Sequence, residues 1–327
     1  MRAAADAIGR IHGEDVSGRT IMDLRYADLS AAAHGLGVHR GVLFGALRTA
    51  LDDAGVPVRA GVRVVRRRGG ALVDEQGAVH GPYDLVVAAD GARSALRAEV
   101  PGRRRERTYR WGALWTILPD PDGRCAGVLD QVFDGTHRLL GLLPLGVPPH
   151  LGVRCTSLFW SVRADRLDGV RAAGLDALVR EMRALAPRAA PLLEGLRHMD
   201  ELVPAVYRDV RMQRWHGDGI ALVGDAGHAM SPQLGQGTNL ALMDAAALAD
   251  ALAAGPRLDE ALARYTRARR AHLRYYTLAS WALNAVFQHD RRAMAWPRDR
   301  LIGPASRVPP LRRLMLETLA GRVLAKR

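Results

Sequence analysis

The chain has 327 residues, 48% of them hydrophobic and 25% charged. This is an ordinary composition for a soluble globular protein, and the length predicts two domains or one large composite one. The formal charge of +13 would suit nucleic acid, but Lys326 is the only lysine and arginine supplies every other basic side chain; the surplus therefore reads as codon bias, which sets nucleic acid aside as a partner.

Arg66–Arg68 and Arg103–Arg105 read as solvated loops, and the surplus favours an anionic small-molecule cofactor. The longest apolar stretch, Asn239–Ala254, is interrupted by Asp244 and Asp250, so no run reads as a membrane span. Met1–Arg10 lacks the apolar h-region of a signal peptide. Cys125 and Cys155 then read as free thiols in a cytoplasmic protein.

In chain order, residues 39–54 carry Val42, Leu43, Ala46, Leu47, Ala50 and Leu51 at helical spacing, closed by Gly55 and Pro57. Short strands are expected at Val58–Ala60, Val62–Val65 and Ala71–Val73. Tyr83–Asp90 is a continuous apolar run ending in Asp-Gly, the pattern of a strand buried on both faces of a parallel sheet. Longer runs at Tyr109–Leu118, Gly127–Phe133, His137–Leu145 and Val153–Val162 partly alternate in polarity, as antiparallel strands do. A helix is predicted near Leu175–Leu185 and a buried strand at Ile220–Val223. Helices follow at Asn239–Ala253, Leu258–Phe287 and Leu311–Leu319.

These elements predict an α/β, α+β-composite fold. Residues 1–100 and 205–255 would form one sheet domain built from distant segments, 101–204 an inserted antiparallel β domain, and 256–327 a helical C-terminal region.

Two stretches carry chemistry. In GDAGHAMSPQLGQGTNLALMDA, residues 224–245, a buried strand delivers Gly224-Asp225 at its carboxyl end, where open α/β sheets bind ligands. Asp225 can accept hydrogen bonds from a polyol or ribose. Gly235 and Gly237 allow close backbone approach, and Thr238 or Asn239 is a good N-cap for a helix whose positive end favours negative charge. In DGARSALR, residues 90–97, a buried strand ends in Asp90-Gly91 and a short helix bearing Ser94 and Arg97 is expected to follow. Taken alone, this second stretch is also a plain capped helix start, and Arg40 at the opening of the first helix is also a plain surface arginine.

At these residues the chain resembles the class A flavoprotein monooxygenases, the family of p-hydroxybenzoate hydroxylase and the ubiquinone-pathway hydroxylases. Gly224-Asp225-Ala226-Gly227-His228, Pro232, Gly235-Gln236-Gly237, Asn239 and Asp244-Ala245 match the family's GD motif, with Gly227 in place of the usual alanine. Asp90, Gly91, Ser94 and Arg97 match its DG motif, and Arg40, Leu43 and Leu47 its RxxLxxxL pattern.

The resemblance implies an incomplete Rossmann-like FAD-binding domain and NAD(P)H-driven hydroxylation of an aromatic small molecule by a flavin C4a-hydroperoxide. It implies that Asp225 holds the ribityl chain and that residues 235–239, with Thr238 and Asn239, lie at the pyrimidine side of the isoalloxazine. Pro232 would line the ring, Gly224 and Ala226 would complete the motif, and Arg40 would meet the FAD backbone. Asp90 and Gly91 would serve both FAD and the pyridine nucleotide, and His228 would belong to the cofactor loop. No general acid or base and no metal is expected, because the cofactor carries the chemistry.

The family's opening strand, GxGxxG and helix are expected to be missing. Gly35, Gly37 and Gly41 come nearest, off by one position and with no buried strand before them. A flavin halogenase is set aside, since its substrate lysine could only be Lys326. The other alternative is a non-catalytic remnant or binding module of the same fold. Trp111, Trp115 and Trp160 in the β block either line an aromatic pocket or pack in the core.

Overall fold

The computed structural model describes residues 2–325, apart from the side chain of Arg292. Lys326, the chain's only lysine, lies outside the described residues.

Strands β1 (Asp6–Ile8), β2 (Arg10–Asp15), β3 (Thr20–Arg25) and β4 (Gly35–Gly37) precede helix α1 (Arg40–Asp53). Then come β5 (Val64–Arg68), β6 (Ala71–Asp74), β7 (Val79–His80) and β8 (Val86–Ala88). The long strands β9 (Arg104–Pro119), β10 (Val128–Asp134), β11 (Arg138–Gly146) and β12 (Cys155–Arg163) lead to α2 (Leu167–Ala173), α3 (Leu175–Leu185) and α4 (Ala190–Leu193). After β13 (Val203–Met212), β14 (His216–Gly217) and β15 (Ile220–Leu222) the chain is helical. Its helices are α5 (Asp225–His228), α6 (Gly237–Ala253), α7 (Leu258–Phe287), α8 (Ala295–Pro297), α9 (Gly303–Arg307) and α10 (Pro309–Leu319).

The chain divides into two compact units. One comprises residues up to 57, 110–206 and 284–320; the other 58–109, 207–283 and the residues from 321. This differs from the sequence boundaries, which group residues 1–57 with the nucleotide-type strands. The reason is strand pairing. β2 forms a six-residue parallel ladder with β10, from Arg10 opposite Val128 to Asp15 opposite Phe133, and β3 extends the same sheet.

The first unit is built on the sheet ordered β13-β9-β12-β11-β10-β2-β3. Its ladders are antiparallel from β9 through β12 and β11 to β10. Leu114, Leu140, Leu158 and Trp160 on the sheet pack with Met182 and Leu193 of the following helices into one buried cluster. The amphipathic pattern of 175–185 forms α3 as predicted, with Leu178, Met182 and Leu185 inward. A smaller cluster joins Ile11, Leu24 and Tyr26 to Leu316 of α10.

The expectation of no buried strand before Gly35 is corrected. β2 alternates half-buried and buried positions, although its sequence RIHGED is polar. Gly35 and Gly37 form no phosphate loop; they lie in β4, antiparallel to β1, and a Cβ on Gly37 would stand 1.8 Å from the Pro144 carbonyl oxygen. Helix α1 forms over the predicted stripe, but none of its residues is buried and Phe44 is 70% exposed. Cys125 and Cys155 are free and buried.

The second unit holds two small sheets. β5, β6 and β7 form an antiparallel meander, and Val58–Ala60 is not a strand. The other sheet is ordered β14-β15-β8, with β15 and β8 parallel: Ile220 faces Val86, and Leu222 faces Ala88. All of β15 is buried, whereas β8 is not covered on both faces as its apolar run predicts. Val86 and Ala88 point inward while Val87 is 45% exposed, because only one face of the strand is covered. Tyr265 of α7 donates its hydroxyl to the Leu222 carbonyl at 2.8 Å and ties β15 to the long helix.

Candidate functional site

Both sequence motifs leave the carboxyl ends of the paired parallel strands β8 and β15, and both lie in the second unit. Pairing continues one residue further, with the Val223 N–H donating to the Ala88 carbonyl at 3.1 Å. The chain then turns at Gly224, whose φ of +58° belongs to the left-handed half of the map. A Cβ there would also meet the Ala241 Cβ at 2.9 Å, so glycine lets α6 pack against the turn. Gly227 has an equally local cause. Trp215 occupies the space that an alanine methyl would need, 2.6 Å from the ideal Cβ, and donates its indole N–H to the Gly227 carbonyl at 3.1 Å.

Asp225 opens the one-turn helix α5 with its side chain exposed. Among the described residues its carboxylate has neither a hydrogen-bond donor nor an ion-pair partner. Its carbonyl and that of Ala226 face the guanidinium of Arg97, which is 2% exposed. Arg97 donates to the carbonyls of Ala226 (2.6 Å), Ala92 (3.0 Å), Gly91 (3.2 Å) and Asp225 (3.3 Å), and to Glu106 at 2.8 Å. One buried cation thus clamps the DG loop to the GD loop. Asp90 accepts from the Ala95 and Leu96 N–H groups through one oxygen, and Ser94 accepts from the Arg97 N–H at 3.0 Å. These are the capping bonds that Asp and Ser supply to any such turn. Gly91 has φ +79°, with open space where a Cβ would stand.

Pro232 begins a single 3₁₀ turn that ends at Gly235 in the left-handed conformation, φ +63° and ψ +17°. Helix α6 then starts at Gly237 with Gln236 as its N-cap. This corrects the expectation that Thr238 or Asn239 caps it; both lie within the first turn, and Asn239 instead donates its amide to the Gln236 side chain at 3.1 Å. The first backbone bond to Gln236 comes from Leu240, so among the described residues the N–H groups of Gly237, Thr238 and Asn239 have no acceptor at this helix end. No atom lies within 4 Å of a Cβ built on Gly235 or Gly237.

Behind this loop is a buried polar chain. Asp244 is wholly buried; it accepts from the Gly224 N–H at 2.9 Å, meets His228 Nε2 at 2.5 Å and takes Arg269 Nε at 2.7 Å. Arg269 reaches His272 at 2.9 Å, and His272 contacts the Gly321 carbonyl. Burial alone would push the Asp244 carboxyl upward; the hydrogen bonds and charges of His228 and Arg269 outweigh it and hold the group below its ordinary 3.8. Burial, with Arg269 adding to it, keeps His272 below 6.5. Sequence reasoning marked Asp244 and His228 as motif positions but missed Arg269 and His272, two members of an arginine-rich helix with nothing local to distinguish them.

Arg40 belongs to the first unit, where it opens α1 behind the N-cap His39 and lies over the Trp115 ring, 5.5 Å from its centroid. The other two tryptophans are structural. Trp160 is in the core, and Trp111 is buried and donates to Asp290 at 3.0 Å.

A carboxylate with no partner among the described residues and an open helix end lie beside the carboxyl ends of parallel strands, so this α/β protein carries a loop that favours an anion. The FAD binding domain family matches residues 58–279, and the chain belongs to this family of FAD-dependent monooxygenases. It is 29% identical over 303 residues to a probable 2-heptyl-3-hydroxy-4(1H)-quinolone synthase of Rhodococcus erythropolis, covering 90% of this chain and 73% of that protein. It is 34% identical over 201 residues to kynurenine 3-monooxygenase of Xanthomonas euvesicatoria, covering 58% of this chain and 42% of the relative. An HpxO variant of Klebsiella pneumoniae complexed with FAD shares the fold at a TM-score of 0.77 and 22% identity, covering 97% of this chain and 83% of that one. Among the described residues no helix is long and apolar enough to cross a membrane, and no cluster of side chains could hold a metal ion.

Proposed function

We propose that this chain holds FAD at the 224–239 loop and uses NAD(P)H and O₂ to hydroxylate an aromatic small molecule. The observation that carries this reading is the pairing of two features on one loop. Among the described residues, one is the Asp225 carboxylate, which has no partner, and the other is the α6 end, whose first three N–H donors have no acceptor. The loop also has room, since a Cβ on Gly91, Gly235 or Gly237 would meet nothing within 4 Å.

In this reading Asp225 accepts hydrogen bonds from the ribityl hydroxyls. The N–H groups at Gly237, Thr238 and Asn239, with the helix dipole behind them, stabilise negative charge on the cofactor without reorganising. Gly235 and Pro232 shape the wall of the site. Gly224 and Ala226 set the turn, Asp90 and Gly91 form its neighbour on β8, and Arg40 keeps the role that the resemblance gives it, a contact to the FAD backbone. FAD, when bound, supplies hydride acceptance from the nicotinamide and activation of O₂. The protein's share is orientation and a fixed dipole.

The relatives' names carry kynurenine and an alkyl quinolone, which supports an aromatic substrate, and the 101–204 β block is proposed to hold it. The test is to purify the chain with added FAD, dialyse it, and record flavin absorbance and NAD(P)H oxidation against a panel of phenols, anthranilates and quinolones. Retained flavin with aromatic-dependent NAD(P)H consumption is expected. A colourless protein that consumes no NAD(P)H with any of them would sink the proposal.

A further inference from the structure

On the second unit, the end of β13 and the turn into β14 form one wall of a furrow, and helix α7 forms the other. A cavity of about 890 Å³ is lined by Met212, Trp215, Leu273, Leu278 and Leu324 among others. A second, of about 360 Å³, continues it, since Gln213 and Arg270 line both. Leu278 and Leu324 are 58% and 57% exposed and offer apolar surface to solvent, whereas Trp215 and Leu273 are buried.

Its charge has one sign. Arg211 and Arg214 stand on the β wall, and Arg267, Arg270 and Arg274 stand on the helix at i, i+3 and i+7, along one face. No aspartate or glutamate lines either cavity. Arg211 pairs with Asp209 at 3.0 Å. Among the described residues no carboxylate comes within 4.0 Å of the guanidinium of Arg214, Arg267, Arg270 or Arg274. Like charges held along one channel without counter-charges repel one another, and an anionic occupant relieves this.

We infer that this furrow docks an acidic amphipathic helix of a partner protein. Such a helix places carboxylates on both flanks of an apolar stripe, matching arginines on both walls and leucine, methionine and tryptophan between them. A flat bilayer cannot reach the floor of a concave furrow. A phosphate chain would engage the arginines and leave Leu278 and Leu324 exposed. The inference does not depend on the flavin reading.

The test uses the full chain and a fluorescein-labelled peptide of about 18 residues, roughly five helical turns, with leucine on one face and glutamate elsewhere. Companion peptides replace glutamate by lysine, or leucine by serine. Anisotropy is expected to show binding of the Leu/Glu peptide, weakened by roughly tenfold or more in Arg270→Glu/Arg274→Glu, by a similar factor on loss of the leucines, and by a smaller but clear factor in Leu278→Asp. The control Arg66→Glu/Arg68→Glu carries the same change in net charge on exposed residues of the same unit and is expected to bind within about threefold of wild type. Equal weakening by both arginine pairs would reduce the effect to overall charge and overturn the inference. So would binding that ignores the leucines, or retention on phosphatidylglycerol vesicles that the 270/274 pair abolishes while the peptide does not bind.

Discussion

Nε2 of His228 lies 2.5 Å from Oδ2 of Asp244, and both side chains are sealed from solvent. The histidine of the loop is therefore occupied inside the protein, holding α5 to α6, rather than facing a ligand. The same carboxylate takes the Gly224 N–H and Arg269, so one buried anion fixes the turn that presents Asp225.

Asp244→Asn is expected to lower stability by about 3 kcal/mol at neutral pH, because it leaves the buried guanidinium of Arg269 without a counter-charge. The folded carboxyl titrates below 3.8. The stability from that shift is therefore complete above the unfolded value and is lost as pH falls through the folded one. Denaturant midpoints of the two proteins should converge in acid below about pH 4. A gap of constant size from neutral pH down to pH 3 would show that the carboxylate's charge is not what stabilises the turn.

Arg97→Met strips the carbonyls of Gly91, Ala92, Asp225 and Ala226 of a common donor. A loss of roughly 3–5 kcal/mol is expected, and Arg97→Lys should recover little of it, since a point ammonium cannot reproduce the planar fork. Full rescue by lysine in a thermal melt would contradict the clamp.

Asp225→Ala removes a carboxylate with no partner among the described residues, so the fold should keep its melting temperature. FAD binding should weaken by about 10- to 100-fold, the worth of a charge-assisted hydrogen bond in a sheltered site. The measurement is flavin fluorescence titration. A mutant that retains FAD through dialysis as well as wild type does would remove Asp225 from the site.

Two glycines of the loop should behave oppositely. Gly224→Ala meets a φ of +58° and a methyl at 2.9 Å, so it should destabilise the fold by roughly 1–3 kcal/mol. Gly237→Val meets open space within the protein, so it should leave the melting temperature nearly unchanged and weaken FAD. Unaltered FAD affinity in the valine variant would count against the helix end as the cofactor's seat.

Burial pushes the Cys125 thiol up to about 11, with Asp120 adding to it, and raises Cys155 in the same way. Neither should react with a disulfide reagent at pH 8 until the protein unfolds, when both should titrate together. Rapid labelling of the native protein would show that the core opens on the time scale of the assay.

Local pattern alone determined a good part of this protein. The stripe of 175–185 and the long helix 258–287 bury side chains at helical spacing, and the apolar runs that became β9 to β12 lie together in one sheet, so the sequence carries them. The two motifs were legible because a strand end, glycine turns and a helix start occur within a few residues of one another. The tertiary structure decided what depends on distant partners. β2 is a polar hexapeptide held as a strand between its neighbour β3 and β10, which lies more than a hundred residues away and whose Asp130 meets His12 at 2.9 Å. Arg269 looks like any of the chain's other arginines, and the motif that marks Arg97 does not say what its guanidinium holds. Both are folded into places where carbonyls or a carboxylate must be satisfied, and burial of this kind comes from contacts that no sequence window contains.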